Sequence, residues 1–221
     1  VGTASDSILF TAATVSEGWW GLRFINAPDS SHLAYCILER GRATGVFPDS
    51  GGYGGGLYTY HSNPSLRHST FRQNYCEWYG GGACFWGQSN PLVEECLFTD
   101  NTSDDDAGAI FCGNSSNARI SRCTMINNWT LAWGGGMCSF LSSPTVEYCT
   151  ISNNWGNNGG AYYCSYSAGG DLDHCIISGN TANLGGGIYN MSGSTLIISN
   201  CTIFGNAAPG NGGGIYFSSS A

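Results

Sequence analysis

Lysine is absent from this chain of 221 residues, and all seven basic residues are arginine. Against 15 acidic groups they leave a net charge of -8, which excludes nucleic acids and anionic membrane surfaces as partners, since both are held through basic side chains. Only 10% of the residues are charged, too few for a solvated disordered segment. No apolar run approaches the roughly 18 residues that cross a bilayer as a helix. Nor does any window keep a helical apolar period long enough for a crossover helix, so the chain reads as all-β. A signal peptide is also missing. The opening at Val1-Gly2-Thr3 is mid-phrase, as expected of a product trimmed from a longer precursor.

What fills the chain is a repeat. Glycine clusters recur roughly every 26 residues, as Gly54-Gly55-Gly56, Gly80-Gly81-Gly82, Gly108 alone, Gly134-Gly135-Gly136, Gly159-Gly160, Gly185-Gly186-Gly187 and Gly212-Gly213-Gly214. A second phrase, cysteine then an apolar residue then asparagine, lies between them and starts at Cys96, Cys123, Cys149, Cys175 and Cys201. Aligned on the asparagine, Leu66, Val93, Ile120, Val146, Leu172 and Ile198 form one column, and Phe71, Phe98, Met125, Ile151, Ile177 and Ile203 another. Apolar positions two apart read as strands, and the step of three between Val146 and Cys149 implies a corner.

These columns predict a single-domain, right-handed parallel β-helix over residues 1–221, with about eight rungs of three short strands and roughly 26 residues per rung. Residues 1–50 form atypical first coils and 51–221 the regular repeats. Like residues stack about 4.8 Å apart, giving a rod of roughly 38 Å. The column Asn74, Asn101, Asn128, Asn154, Asn180 and Asn206 reads as a structural ladder that satisfies polar groups freed by the bends.

The Gly-Gly-Ala/Gly-Ile and Phe-x-x-Asn phrases resemble the repeats of chlamydial polymorphic outer membrane proteins. The opening Gly18-Trp19-Trp20-Gly21-Leu22-Arg23-Phe24 and the segment Leu33 to Gly41 are similar to the first coils of large secreted bacterial β-helix proteins. This resemblance covers almost the whole chain and implies a β-helix and export. It implies no one activity, because such proteins range from adhesins and surface fibres to polysaccharide-active enzymes.

Eleven cysteines point to an extracellular compartment, and their odd number leaves at least one without an intramolecular partner. The column Cys96, Cys123, Cys149, Cys175 and Cys201 reads as stacked buried thiols. In-register strands hold Cβ vectors nearly parallel, so bridging neighbours would strain them, and a line of sulfurs offers no tetrahedral metal cluster. Cys76 stands outside the column and is the candidate for an exposed thiol or an intermolecular bridge. Glu39 with Arg72, Arg67 with Glu94, and Glu95 with Arg122 align as cross-strand ion pairs.

The enzymes that the resemblance includes carry clustered carboxylates on one strand face, with calcium in the lyases. Here the strands after the glycines contain no acidic residue from Leu57 to Phe217. Asp104, Asp105 and Asp106 are the one acidic run and the weak calcium candidates; otherwise no metal, cofactor or catalytic residue is assigned. His32, His61, His68 and His174 fall in different columns with no nucleophile at a recognisable spacing.

The strand after each glycine cluster is apolar on both faces. Placing Leu57, Ala83, Ala109, Met137, Ala161, Ile188 and Ile215 inward leaves an outward stripe that includes Tyr58, Tyr60, Trp86, Tyr162, Tyr189 and Tyr216. An exposed stripe of this kind marks an interaction site. Ending partway through a rung near Gly214 to Ala221, the chain suggests head-to-tail assembly as well. Glycosylation sequons occur at Asn101, Asn114, Asn128, Asn190 and Asn200; Asn101 and Asn128 belong to the ladder and are poor acceptors, and Asn114 and Asn190 are the acceptor candidates. The expected function is a secreted, non-enzymatic structural or adhesive solenoid at the cell surface. Its partners are itself, surface proteins or glycans, with no nucleic acid and no membrane span. The alternative is a carbohydrate-binding or polysaccharide-cleaving β-helix that uses the stripe.

Overall fold

The computed structural model describes residues 1–14, 17–46, 50–191 and 193–218. Of the closing segment, Ser219, Ser220 and Ala221 lie outside the described residues. Every strand-to-strand ladder is parallel, and the strands sort into sheets of eight, eight, seven and four. One coil shows the path: Leu92–Glu94, a two-residue corner at Glu95 and Cys96, Leu97–Thr99, the ladder asparagine, Thr102–Ser103, then Ile110–Gly113 after the glycine. The next coil repeats it with each strand paired to its counterpart. Val93 lies beside Ile120 and Ile120 beside Val146, the vertical file that the periodicity predicts.

The three-strand coil needs one addition. A fourth sheet of two-residue strands, Arg42–Ala43, Tyr75–Cys76, Thr102–Ser103 and Trp129–Thr130, follows Gly41 and the ladder residues Asn74, Asn101 and Asn128. Two residues are too few to show an alternation in sequence. Rung spacing is 26 or 27 residues in the regular part but 33 between Gly41 and Asn74, so the first coils carry extra chain.

The asparagine ladder forms as expected. Asn101 donates from its backbone N to Asn128 Oδ1 at 3.0 Å and from Nδ2 to the same oxygen at 2.9 Å, while Nδ2 also reaches the carbonyl of Phe71 at 2.9 Å. Every polar atom of the amide is thereby used in a buried site. A second ladder went unread in the sequence: the backbone N of Ser89 donates to Ser116 Oγ at 3.0 Å, and that of Ser116 to Ser142 Oγ at 3.1 Å. Both ladders sit at bends, where strand pairing cannot satisfy the backbone.

The corners use left-handed backbone, even at non-glycine residues: Glu95 (φ 53°), Arg122 (φ 52°), Tyr148 (φ 55°) and His174 (φ 50°) occupy one corner column. Such conformations cost energy for L-residues, so the flanking ladders must hold them. At the middle glycine of a cluster the constraint is proximity. A Cβ on Gly81 would sit 2.5 Å from the carbonyl oxygen of Thr102 and 2.6 Å from that of Gly108, so the coils close only on hydrogen.

Candidate functional site

The outer face of the post-glycine sheet was the expected interaction stripe, and its register changes the membership. Ala83 pairs with Ile110, and Met137 with Tyr162. Ile110 and Tyr162 therefore belong to the inner file with Leu57, Met137 and Ile188, and all are buried in the main core. Tyr162 is a correction: it lies inside the coil, its hydroxyl 2.8 Å from Ser139 Oγ. The slip arises because Ala109 and Ala161 hold the third-glycine position. The N of Met137 donates to the carbonyl of Ala161 at 2.8 Å, as the N of Leu57 does to that of Gly82 at 3.1 Å. Counting from the last glycine therefore starts one residue early in those two coils.

The outward file is Tyr58, Cys84, Phe111, Cys138, Tyr163, Tyr189 and Tyr216. It is not an open stripe, which corrects the second expectation. Tyr53, Trp78, Tyr79 and Trp133, from the loops before the glycines, fold over it and make a second apolar core outside the coil. Tyr58, Cys84, Phe111, Cys138 and Tyr163 are buried, while Tyr60, Trp86, Tyr189 and Tyr216 remain half-exposed. Ring faces meet rings: Tyr79 and Phe111 stack at 4.5 Å, Trp133 and Tyr163 at 5.0 Å, and Tyr163 and Tyr189 at 5.0 Å. Loop composition decided the coverage, since the covering aromatics lie in segments without strand periodicity.

The acidic run is split by this outer core. Asp104 accepts the Tyr75 hydroxyl at 2.5 Å on the neighbouring face. Asp106 is buried beside Trp133, whose N donates to its Oδ1 at 3.2 Å. Burial, then the charge of Asp105, pushes the Asp106 carboxyl well above the usual carboxylate range; the Trp133 N–H opposes them. Burial raises Asp105 as well. The three carboxylates do not gather, and among the described residues no group of three His, Cys, Asp or Glu could hold a metal ion. As a calcium site the run is corrected on that ground.

A corner column collects two of the four histidines, His68 and His174. Reading upward it is Tyr35, His68, Glu95, Arg122, Tyr148, His174 and Asn200, the residues one before the cysteine column. His68 stacks on Tyr35 at 4.8 Å and pairs with Glu95 at 2.8 Å; His174 stacks on Tyr148 at 4.8 Å. Of the expected ion pairs, Glu39–Arg72 at 2.6 Å and Arg67–Glu94 at 2.9 Å are present. Glu95 takes His68 instead of Arg122, whose guanidinium lies 5.9 Å from the Tyr148 ring. Beside the column, Asp173 receives Asn200 Nδ2 and Ser199 Oγ at 2.8 Å and meets His174 Nδ1 at 2.8 Å. Those contacts, Asn200 foremost, hold its carboxyl down at about 2.

A profile of the right handed beta helix region matches residues 3–157 and, overlapping, 108–221. The chain belongs to that family. No curated protein and no solved structure matches it. Because this β-helix fold occurs in enzymes and non-enzymes alike, membership accounts for the coil and leaves activity to the surface.

The remaining sites sit on the β-helix as follows. All eleven cysteines are free thiols, ten buried and Cys201 half-buried. Backbone N–H groups of Cys96 and Cys123 donate to the sulfur one coil on, at 3.4 and 3.3 Å, and the thiol of Cys123 donates to the carbonyl of Ser121 at 3.3 Å. Cys76 is a correction: it points into the coil, fully buried, and burial raises its thiol to about 12. Of the sequons, Asn114 is exposed on a left-handed corner (φ 54°). Asn190 is a correction, since it follows Cys164 in the inward file and is buried, with Nδ2 donating to the carbonyl of Ser194 at 3.1 Å.

Proposed function

We propose that this β-helix is a secreted, non-enzymatic structural or adhesive module displayed at a cell surface. The observation that carries the reading is the second apolar core. The sheet with apolar residues on both faces is laminated by its own loops. Stacked rings and rung-to-rung ion pairs then make an exterior suited to stiffness. Likeness of the repeats to chlamydial polymorphic outer membrane proteins and to secreted bacterial β-helix proteins supports export and surface display. The cysteines do not add to that support, because unpaired buried thiols are compatible with any compartment. The partner is another protein surface or a second copy, meeting the rod along exposed apolar positions such as Leu131, Ile176 and Phe204.

The alternative, sugar binding along the aromatic stripe, is weakened by the same geometry. A sugar ring stacks on an open aromatic face, and here Tyr163 and Tyr189 cover each other's faces at 5.0 Å. Two measurements on the purified chain decide between the readings. Sedimentation velocity over a concentration series should show self-association or, with a cell-surface extract, a larger complex. Titration with neutral and acidic polysaccharides should leave tryptophan and tyrosine fluorescence unchanged. Saturable quenching by a polysaccharide, or its cleavage, overturns the structural reading.

A further inference from the structure

Two of the seven arginines line a single notch on the first coils. The notch has a volume of about 270 Å³ and is walled by Gly18, Arg40, Gly41, Arg42, Gln73 and Tyr75. It lies between the outward positions that flank the ladder asparagine, where Arg40 precedes Gly41 and Arg42 follows it. From the other side it is closed by the opening segment, which comes so near that a Cβ on Gly18 would sit 2.4 Å from Arg42 Cβ.

We propose that this notch binds an oxyanion, either a carboxylate or a sulfate or phosphate ester. Four arginines bond oxygen acceptors: Arg67, Arg72 and Arg119 pair with Glu94, Glu39 and Glu147, and Arg23 donates through Nη1 to backbone carbonyls of Tyr53 and Gly54. Arg122 lies over the Tyr148 ring in the corner column and does not line the notch. Arg40 and Arg42 are placed differently. Arg42 lies 5.1 Å from the Tyr75 ring centroid, an arrangement that leaves its N–H edge available. Arg40 comes only within 3.9 Å of Glu39, whose carboxylate is taken by Arg72 at 2.6 Å and Thr11 at 2.9 Å. In a chain of net charge -8, two guanidiniums brought to one concavity repel each other, and an anion between them relieves the repulsion. Guanidinium forks match the paired oxygens of such groups.

The rest of the wall agrees with this chemistry. The backbone donors at the notch are spent, with Gly41 N on Asn74 Oδ1 at 2.8 Å and Arg42 N on the carbonyl of Trp19 at 2.6 Å. Recognition therefore falls to Arg40, Arg42 and the Gln73 amide. Tyr75 sends its hydroxyl to Asp104 at 2.5 Å and offers the notch an uncharged ring. Burial, reinforced by that bond, raises its phenol, so no phenolate forms near neutral pH to repel the ligand.

Arginine Nε–Hε NMR signals test the proposal on the intact chain, where seven arginines give a simple spectrum. Titration with sodium sulfate, sodium phosphate or sodium acetate, at ionic strength held by sodium chloride, should move two signals saturably and leave Arg119 in place. The variants Arg40→Gln and Arg42→Gln assign those signals by deletion. Each should weaken binding by about tenfold, the loss of one charge-assisted contact, whereas Arg119→Gln should not. Response to acetate alone assigns a carboxylate; response to sulfate or phosphate alone assigns an ester anion. Small unsaturating drifts shared by all arginines would overturn the site, and this readout needs no variant to fold.

Discussion

Asn128 and Asn154 share one oxygen twice: Asn154 Oδ1 accepts the Asn128 backbone N at 2.9 Å and its Nδ2 at 3.0 Å. This fork repeats at Asn74, Asn101 and Asn180, so each asparagine seals the bend of the coil before it.

Replacing Asn128 by alanine removes the acceptor on which the Asn101 N–H and amide both depend. Each buried group left unpaired costs about 1–3 kcal/mol, so Asn128→Ala should destabilise the chain by about 3 kcal/mol or more. Guanidinium unfolding followed by circular dichroism measures it. A change below about 1 kcal/mol would mean that water or a relaxed bend replaces the ladder.

The Asp106 carboxyl makes stability depend on pH. Its folded pKa is raised above the ordinary value of 3.8. The protonated acid therefore favours the fold at low pH, and the contribution is lost as pH rises from 3.8 toward the folded value. Asp106→Asn keeps an oxygen for the Trp133 N–H and cannot ionise. It should raise the melting temperature at pH 7, by about 2–4 °C for each kcal/mol recovered, with the advantage vanishing near pH 3. Asp173 runs oppositely: held at about 2, it supports the fold above pH 3.8 and loses that support as pH falls through 2. Equal melting temperatures for wild type and Asp106→Asn at pH 7 would contradict the burial of Asp106.

Thiol reactivity separates buried sulfurs from exposed ones. Contact with the thiol of the preceding coil, then burial, raises Cys149 to about 12, and the same causes raise Cys175. Thiolate is the reactive form. A chromogenic disulfide reagent at pH 8 should reach at most Cys201 in the native chain and all eleven cysteines after unfolding. Fast modification of Cys76 would restore it as a surface thiol.

Much of the coil was legible because stacking makes chemistry periodic. Val93, Ile120 and Val146 recur at fixed spacing since each covers the next, and the asparagines recur since each completes its neighbour. The serine ladder at Ser89, Ser116 and Ser142 carried the same signal but was hidden among other serines. Tyr162 was misplaced because an alanine stood where a third glycine was counted, and one residue of register reverses a side chain's face. The outer core was beyond reach of periodicity, since Tyr53, Tyr79 and Trp133 come from loops whose course no repeat dictates.

Repetition within the chain thus dictates the coil, its ladders and its inward files, because those depend on contacts between equivalent positions one turn apart. What lies on the outside belongs to the folded molecule alone: the burial of Tyr58 and Asp106, the meeting of His68 with Glu95, and the notch holding Arg40 and Arg42. Those contacts join unlike residues across loops and columns. Their free energy depends on distances that appear only when the coil is wound.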